Sequence, residues 1–151
     1  MRLDRRWRVA IGIAVVAGVM LVLSQTYFNQ PSEECKPVLA LLEYNKSQGQ
    51  LIESKQSDTD PAVPTVAEDA AYQQWADGMA QRAQQINDPN LAATAIQVAD
   101  AAAKFVAMLP RVRAESETHS PGAPAPPAFF EMTLVNQRIT DGLAQLADAC
   151  D

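Results

Sequence analysis

The chain has 151 residues, of which 48% are hydrophobic, so it is long and apolar enough for one compact domain, and wholesale disorder is excluded. Its first eight residues hold four arginines against one aspartate, whereas the chain from Val9 onward holds 8 basic and 17 acidic residues, a formal charge of −9. An acidic surface repels phosphate groups, so nucleic acid is not an expected ligand, and a neutral or basic protein surface is the expected partner.

An uninterrupted apolar segment, residues 9–23, follows the basic N-terminus. Extended to Phe28, it is long enough as a helix to cross roughly 30 Å, the thickness of one hydrocarbon core. The arginines lie only on its N-terminal flank, which places the N-terminus in the cytoplasm, with Tyr27 and Phe28 at the far interface. We therefore predict that residues 1–30 form a single-pass signal anchor and that residues 31–151 form an extracytoplasmic domain.

A cleaved signal peptide is the competing interpretation, because the apolar run also fits an h-region. Val22-Leu23-Ser24 is an imperfect cleavage site and Ala-x-Ala is absent there, so the uncleaved anchor is preferred. Within the segment, Ala10, Ala14 and Gly18 recur every four residues and would let a second transmembrane helix approach closely. Small residues are common in membrane spans, and that explanation is preferred, but this face is the one to examine for a partner helix.

Cys35 and Cys150, the two cysteines of the chain, lie at the start and the end of the exported part. An even number of cysteines in an exported domain indicates a disulfide. A metal site needs more ligands than these two and His119, and the Cys-x-x-Cys redox motif is absent. We predict an intrachain disulfide that stabilises the fold by roughly 4–5 kcal/mol in the chain-entropy description, with intermolecular pairing as the minor alternative.

Helical periodicity occurs four times in the exported part, and the alternation typical of strands is not sustained anywhere. The predicted helices span residues 37–54, 65–86, 89–109 and 128–149. The second opens with a capping box, Thr65 to Glu68, and the third begins with Asp88 as its cap. Pro110 is expected to end or bend the third helix, and the Pro-rich run 121–127 is expected to be an extended linker.

A heptad-like stripe marks the fourth predicted helix and ends at Cys150. Its members are Phe129, Met132, Asn136, Ile139, Leu143, Leu146 and Cys150. Asn136 is the one polar member, and it either sets the register or faces solvent if the helix is rotated slightly. In an up-down four-helix bundle the first helix begins and the fourth ends at the same pole, which is where the two cysteines fall. The predicted fold is therefore all-α: an N-terminal transmembrane helix, then a four-helix up-down bundle closed by one disulfide near its membrane-facing base.

The sequence holds no recognisable catalytic constellation. His119, the single histidine, falls in the Pro-rich linker, where no fixed partner is expected. The helical di-metal motif, the P-loop and the nucleophile elbow are absent. Asn45-Lys46-Ser47 matches a glycosylation sequon, which we attribute to chance. We expect a protein that is not an enzyme and that binds neither a metal nor a cofactor.

One aromatic stripe permits a ligand site. Tyr72, Trp75 and Met79 recur at helical spacing, a pattern that usually belongs to a core. Together with Phe129 they could instead line an apolar cleft, because methionine-rich surfaces adapt to varied ligands.

The Arg-flanked anchor, the Ala-rich helices with few lysines and the terminal pair Cys35 and Cys150 resemble the small single-pass envelope proteins of actinobacteria, mycobacteria included. The resemblance implies an envelope location and no activity. The sequence therefore favours a membrane-anchored interaction protein, an accessory subunit of an envelope or membrane complex. The alternative is a carrier or sensor that binds an apolar ligand between the helices of the bundle.

Overall fold

The computed structural model describes residues 31–55, 64–120 and 122–151, and within these ranges the chain is helical without any strand. The helices are α1 (Lys36–Lys55), α2 (Asp69–Ala83), α3 (Pro89–Glu117) and α4 (Pro127–Ala149), with one 3₁₀ turn, Val66–Glu68, before α2. The four predicted helices are thus confirmed. The predicted anchor, with Ala10, Ala14 and Gly18, lies outside the described residues.

The helix starts follow the expected local chemistry. The Glu68 carboxylate accepts hydrogen bonds from the backbone N–H and the hydroxyl of Thr65, so the predicted capping box is confirmed. The Asp88 side chain accepts from the backbone N–H groups of Asn90 at 3.0 Å and Leu91 at 2.9 Å, which caps α3. The second helix is shorter than predicted, because its first turn is 3₁₀ and α2 ends at Ala83.

Pro110 does not end α3, which continues to Glu117, so the expected end of this helix is wrong. The proline itself is exposed. Beyond it, Val112 is 1% exposed and Arg113 is bound to Asp69. These tertiary contacts hold the last two turns of α3 despite the roughly 3 kcal/mol that an internal proline costs.

Paired contacts fix the directions of the helices. Asp69 binds Arg113 and Trp75 contacts Phe105, so residue numbers rise along α2 as they fall along α3. Glu115 binds the backbone of Ala128, and Val98 lies against Gly142, so α3 and α4 are also antiparallel. The predicted disulfide joins the start of α1 to the end of α4, with the Cα atoms of Cys35 and Cys150 5.5 Å apart. The described helices therefore alternate in direction around one core.

The core is built largely from alanine and medium-sized apolar side chains. Its largest fully buried members are Leu41, Met79, Leu109, Leu146, Val38, Val98 and Val112. On α4, Val135 is 3% exposed, whereas Asn136, assigned to the stripe from the sequence, is only half-buried. The buried face of α4 is thus rotated by one residue at this level, which removes a polar side chain from the core.

Among the described residues, α3 is the helix long and apolar enough to cross a membrane, with a mean hydropathy of 1.3. It is not the segment that the sequence predicts as an anchor. Alanine is its most frequent residue, and its buried face packs against α2 and α4. We therefore describe α3 as a core helix of the bundle.

Candidate interaction surface

The residues proposed to line an apolar cleft are mostly engaged in the core. Trp75 is 8% exposed, and its indole N–H donates a 2.9 Å hydrogen bond to Oδ1 of Asn45 on α1. Its ring meets Phe105 of α3 edge-on, at a centroid distance of 6.1 Å. The ring of Tyr72 lies 5.8 Å from the same phenylalanine, and Met79 is fully buried. These three side chains thus join α1, α2 and α3.

Phe129, the fourth residue of the proposed cleft, lies at the start of α4, half-buried against the same core. The buried position of Asn45 also bears on the sequon. Its side chain is 5% exposed and bound to Trp75, so its amide nitrogen is not presented to a glycosyltransferase in the folded domain. This supports the interpretation of the sequon as chance.

A polar cluster fastens α1 to α2 on the outside of that core. The Tyr44 hydroxyl donates a 2.7 Å hydrogen bond to the carbonyl oxygen of Gln74. The Arg82 guanidinium lies 3.6 Å above the Tyr44 ring centroid and donates to the carbonyl of Gly78 at 3.2 Å. Partial burial raises the pKa of Tyr44, and the charge of Arg82 opposes that shift. The absence of a side chain at Gly78 leaves room for the Tyr44 ring, because a Cβ there would lie 2.0 Å from the phenolic oxygen.

Ion pairs hold the end of the bundle opposite the disulfide. Arg113 makes two 2.7 Å hydrogen bonds to the Asp69 carboxylate, one from each terminal nitrogen, and a third of 3.1 Å to the Pro64 carbonyl. The bidentate bond to Asp69 raises the pKa of Arg113, which keeps the guanidinium charged. The start of α2 and the chain before it are thereby tied to the last turn of α3.

Glu115 extends this network to α4. Its carboxylate accepts a 2.9 Å hydrogen bond from the backbone N–H of Ala128 and a second one, also 2.9 Å, from Arg111. The bond from Ala128, followed by that from Arg111, lowers the pKa of Glu115 below its ordinary value of 4.5. Arg111 also reaches Glu131 on α4 at 3.2 Å. A free N–H at the start of α4 is thus capped by a side chain from α3.

The described residues hold no group of three or more His, Cys, Asp and Glu side chains that could bind a metal ion. His119 has its Nε2 3.0 Å from the carbonyl oxygen of Ala123, a contact within its own loop. Several carboxylates bind arginine side chains or backbone N–H groups at helix starts. Others bind side chains close in the chain, as Asp77 does with Gln73. The contacts with arginine side chains and backbone N–H groups secure helices to one another and cap helix starts.

The outer side of α4 carries an apolar pair that the sequence stripe overlooked. Phe130 and Leu134 lie one helical turn apart, and each is 59% exposed. Single exposed apolar residues are ordinary, but two large ones adjacent on one helix form a small exposed apolar patch. The signal was present in the sequence as a spacing of four outside the buried heptad positions. We name Phe130 and Leu134 the α4 apolar pair.

In comparisons with known proteins, no family model, curated protein or solved structure matches the chain.

Proposed function

We propose that the protein is a membrane-anchored, extracytoplasmic interaction protein, a non-catalytic accessory subunit of an envelope or membrane complex. The observation that carries the proposal is the α4 apolar pair, two large side chains left exposed on an otherwise ordinary bundle surface. An accessory subunit needs a fixed scaffold and a contact surface rather than a reactive group. The chain offers the scaffold in its disulfide and ion pairs and the surface in Phe130 and Leu134.

The position of the pair along the bundle fits a tethered subunit. The described chain begins beside Cys35, at the disulfide end, so an anchor formed by residues 1–30 would join the bundle there. Leu134 precedes Cys150 by sixteen residues of helix, which places it roughly 24 Å from that end along α4. In this proposal the disulfide end faces the membrane and the apolar pair meets the extracytoplasmic part of a partner.

The charge of the chain and its resemblance to envelope proteins indicate the class and the location of the partner. The chain from Val9 onward has a formal charge of −9, so a neutral or basic protein surface is favoured over nucleic acid or anionic headgroups. The resemblance to small actinobacterial envelope proteins adds an envelope location to the proposal, with the N-terminus in the cytoplasm. Tethering to the same membrane raises the effective concentration, so a small contact surface can suffice.

The carrier or sensor remains the alternative function. Three of its four proposed ligand contacts already belong to the core. Tyr72 contacts Phe105, Trp75 is bound to Asn45, and Met79 is fully buried. Binding an apolar molecule there would require the core to separate, which disfavours the carrier relative to the accessory subunit.

The experiment is recovery of partners from membranes solubilised in mild detergent, with mass spectrometry as the readout. The test variant changes both residues of the apolar pair, F130S and L134S. Its matched control is I96S, because Ile96 is an apolar residue of α3 that is also exposed, at 47%. Wild type and I96S should recover the same protein in similar amounts, and the double variant should lose it.

Two outcomes contradict the proposal. If the double variant recovers as much partner as wild type, the apolar pair is not the contact. If the preparation contains a stoichiometric apolar small molecule and no partner protein, the carrier function replaces the accessory subunit.

A further inference from the structure

The disulfide closes one particular seam of the bundle, the one between α1 and α4. Leu42 and Gly49 follow Cys35 at intervals of seven residues, so they share its face of α1. On α4, Leu143 and Asn136 precede Cys150 at the same intervals. These four positions are all half-buried, and we name them the α1–α4 seam.

The seam is loosely packed apart from the disulfide. Of the helix pairs that adjoin around the bundle, α1 and α4 contact each other least, far less than α3 and α4 do. A Cβ added at Gly49 would meet no atom within 4 Å, so the wall of the seam is open there. By contrast, a Cβ at Gly142 in the α3–α4 interface would lie 2.4 Å from Val98. The covalent bond is therefore the main attachment between the first and the last helix.

Both helices have separate attachments that do not depend on the disulfide. On the α1 side, Asn45 binds Trp75 and Tyr44 binds the backbone of α2. On the α4 side, the backbone of Ala128 binds Glu115 of α3. Breaking the disulfide would leave α1 on α2 and α4 on α3, and only the seam between α1 and α4 would lose its attachment.

We propose that the Cys35–Cys150 disulfide is a redox-controlled clasp and that its reduction by a dithiol opens the α1–α4 seam while the rest of the bundle stays folded. The opened seam presents an apolar strip with Leu42 on one side and Leu143 on the other, next to the polar Asn136. The clasp consists of Cys35, Cys150 and the seam, and it depends on neither the anchor nor the partner of the proposed function.

The redox step is ordinary thiol–disulfide exchange. A thiolate of the dithiol attacks the sulfur of Cys150, which lies just beyond the end of α4 and is 9% exposed. The bond to Cys35 breaks and its sulfur leaves as a thiolate, which takes up a proton. The second thiol of the reductant displaces Cys150 from the mixed disulfide, and that sulfur takes up the second proton. The dithiol is oxidised to a disulfide, and two electrons reach the protein.

The test is carbene footprinting of the full chain in mild detergent, read peptide by peptide with mass spectrometry. The oxidised chain is compared with the chain reduced by dithiothreitol, and with the double variant C35S/C150S, which mimics the reduced state without a reductant. The internal control is the α3 peptide that holds Ala102 and Leu109, because both residues are almost completely buried and belong to a helix that does not form the seam.

Reduction should raise labelling of Leu42 and Leu143 several-fold and leave the α3 peptide unchanged, and reoxidation should restore the original pattern. Unchanged labelling of the seam after complete reduction would overturn the proposal, because the helices would then stay together without the bond. An equal rise in the α3 peptide of the reduced native chain would overturn it as well, because the bond would then support the whole fold rather than one seam.

Discussion

The contact between Gly142 and Val98 offers a quantitative test of the packing between α3 and α4. An added Cβ at position 142 would lie 2.4 Å from Cγ2 of Val98, which is closer than two carbons can approach. Val98 is 1% exposed and β-branched, so inside a helix it has one strongly preferred rotamer. The two helix backbones must therefore separate locally in the variant G142A.

The expected magnitude combines two opposing effects. Overpacking a core costs about 1–3 kcal/mol, whereas replacing a mid-helix glycine by alanine gains about 1 kcal/mol through helix propensity. G142A should thus lower the free energy of unfolding by up to about 2 kcal/mol, which corresponds to a fall in Tm of up to about 8 °C for a domain of this size. The matched control is G49A, whose new methyl group meets nothing within 4 Å. It should raise Tm by about 2–4 °C, because only the propensity gain applies.

A double-mutant cycle makes the test specific. V98A alone should cost about 2 kcal/mol, because it deletes two buried methyl groups and leaves a cavity. In V98A/G142A the new methyl group enters the space that the valine leaves. The double variant should therefore be more stable than the sum of the single effects by about 1–2 kcal/mol. The assay is thermal unfolding of the full chain in mild detergent, followed by circular dichroism. Additive effects, or a G142A variant as stable as G49A, would refute the close approach of the two helices.

Three further predictions follow from single features. Because the hydrogen bond from Ala128 lowers the pKa of Glu115 below 4.5, its stabilising effect is present above that pH and is lost as the pH falls through the folded pKa. E115Q should thus lower Tm at pH 7 and converge with wild type in acid, and a constant difference across thermal scans would contradict this. H119A should leave Tm and partner recovery unchanged, since within the described part of the chain the ring makes its polar contact with the nearby Ala123 carbonyl. A lost partner at normal protein levels would show a role for the histidine. Non-reducing mass spectrometry should find Cys35 and Cys150 oxidised within one chain, and free thiols or disulfide-linked dimers in the native protein would contradict the pairing. The variant C35S/C150S should have a free energy of unfolding lower by roughly 4–5 kcal/mol.

The local sequence was sufficient to predict the four helices and the residues at which two of them begin. The cap at Asp88 and the box from Thr65 to Glu68 depend on neighbouring residues, so their spacing predicts them. The disulfide was also predictable, because two cysteines at the ends of a four-helix domain leave one intrachain pairing. These features need no knowledge of distant contacts.

The remaining features depend on contacts between residues far apart in the chain. The part of α3 beyond Pro110 is stabilised by the bond from Arg113 to Asp69, a residue 44 positions away. The exposure of Phe130 and Leu134 depends on which side of α4 faces α3, and the apolar periodicity alone allowed a rotation that placed Asn136 inside. The spacing of Phe130 and Leu134 is visible in the sequence, but their exposure could be recognised only once the helices were packed.

The most direct test of the proposed function measures partner recovery from membranes with two altered chains. One carries a cleavable signal peptide, which releases the bundle, and the other replaces residues 9–23 with an unrelated apolar helix. The account predicts that the chain with the exchanged anchor recovers the same partner as wild type and that the released bundle does not, because tethering supplies the effective concentration. Full recovery by the released bundle would contradict a tethered accessory subunit.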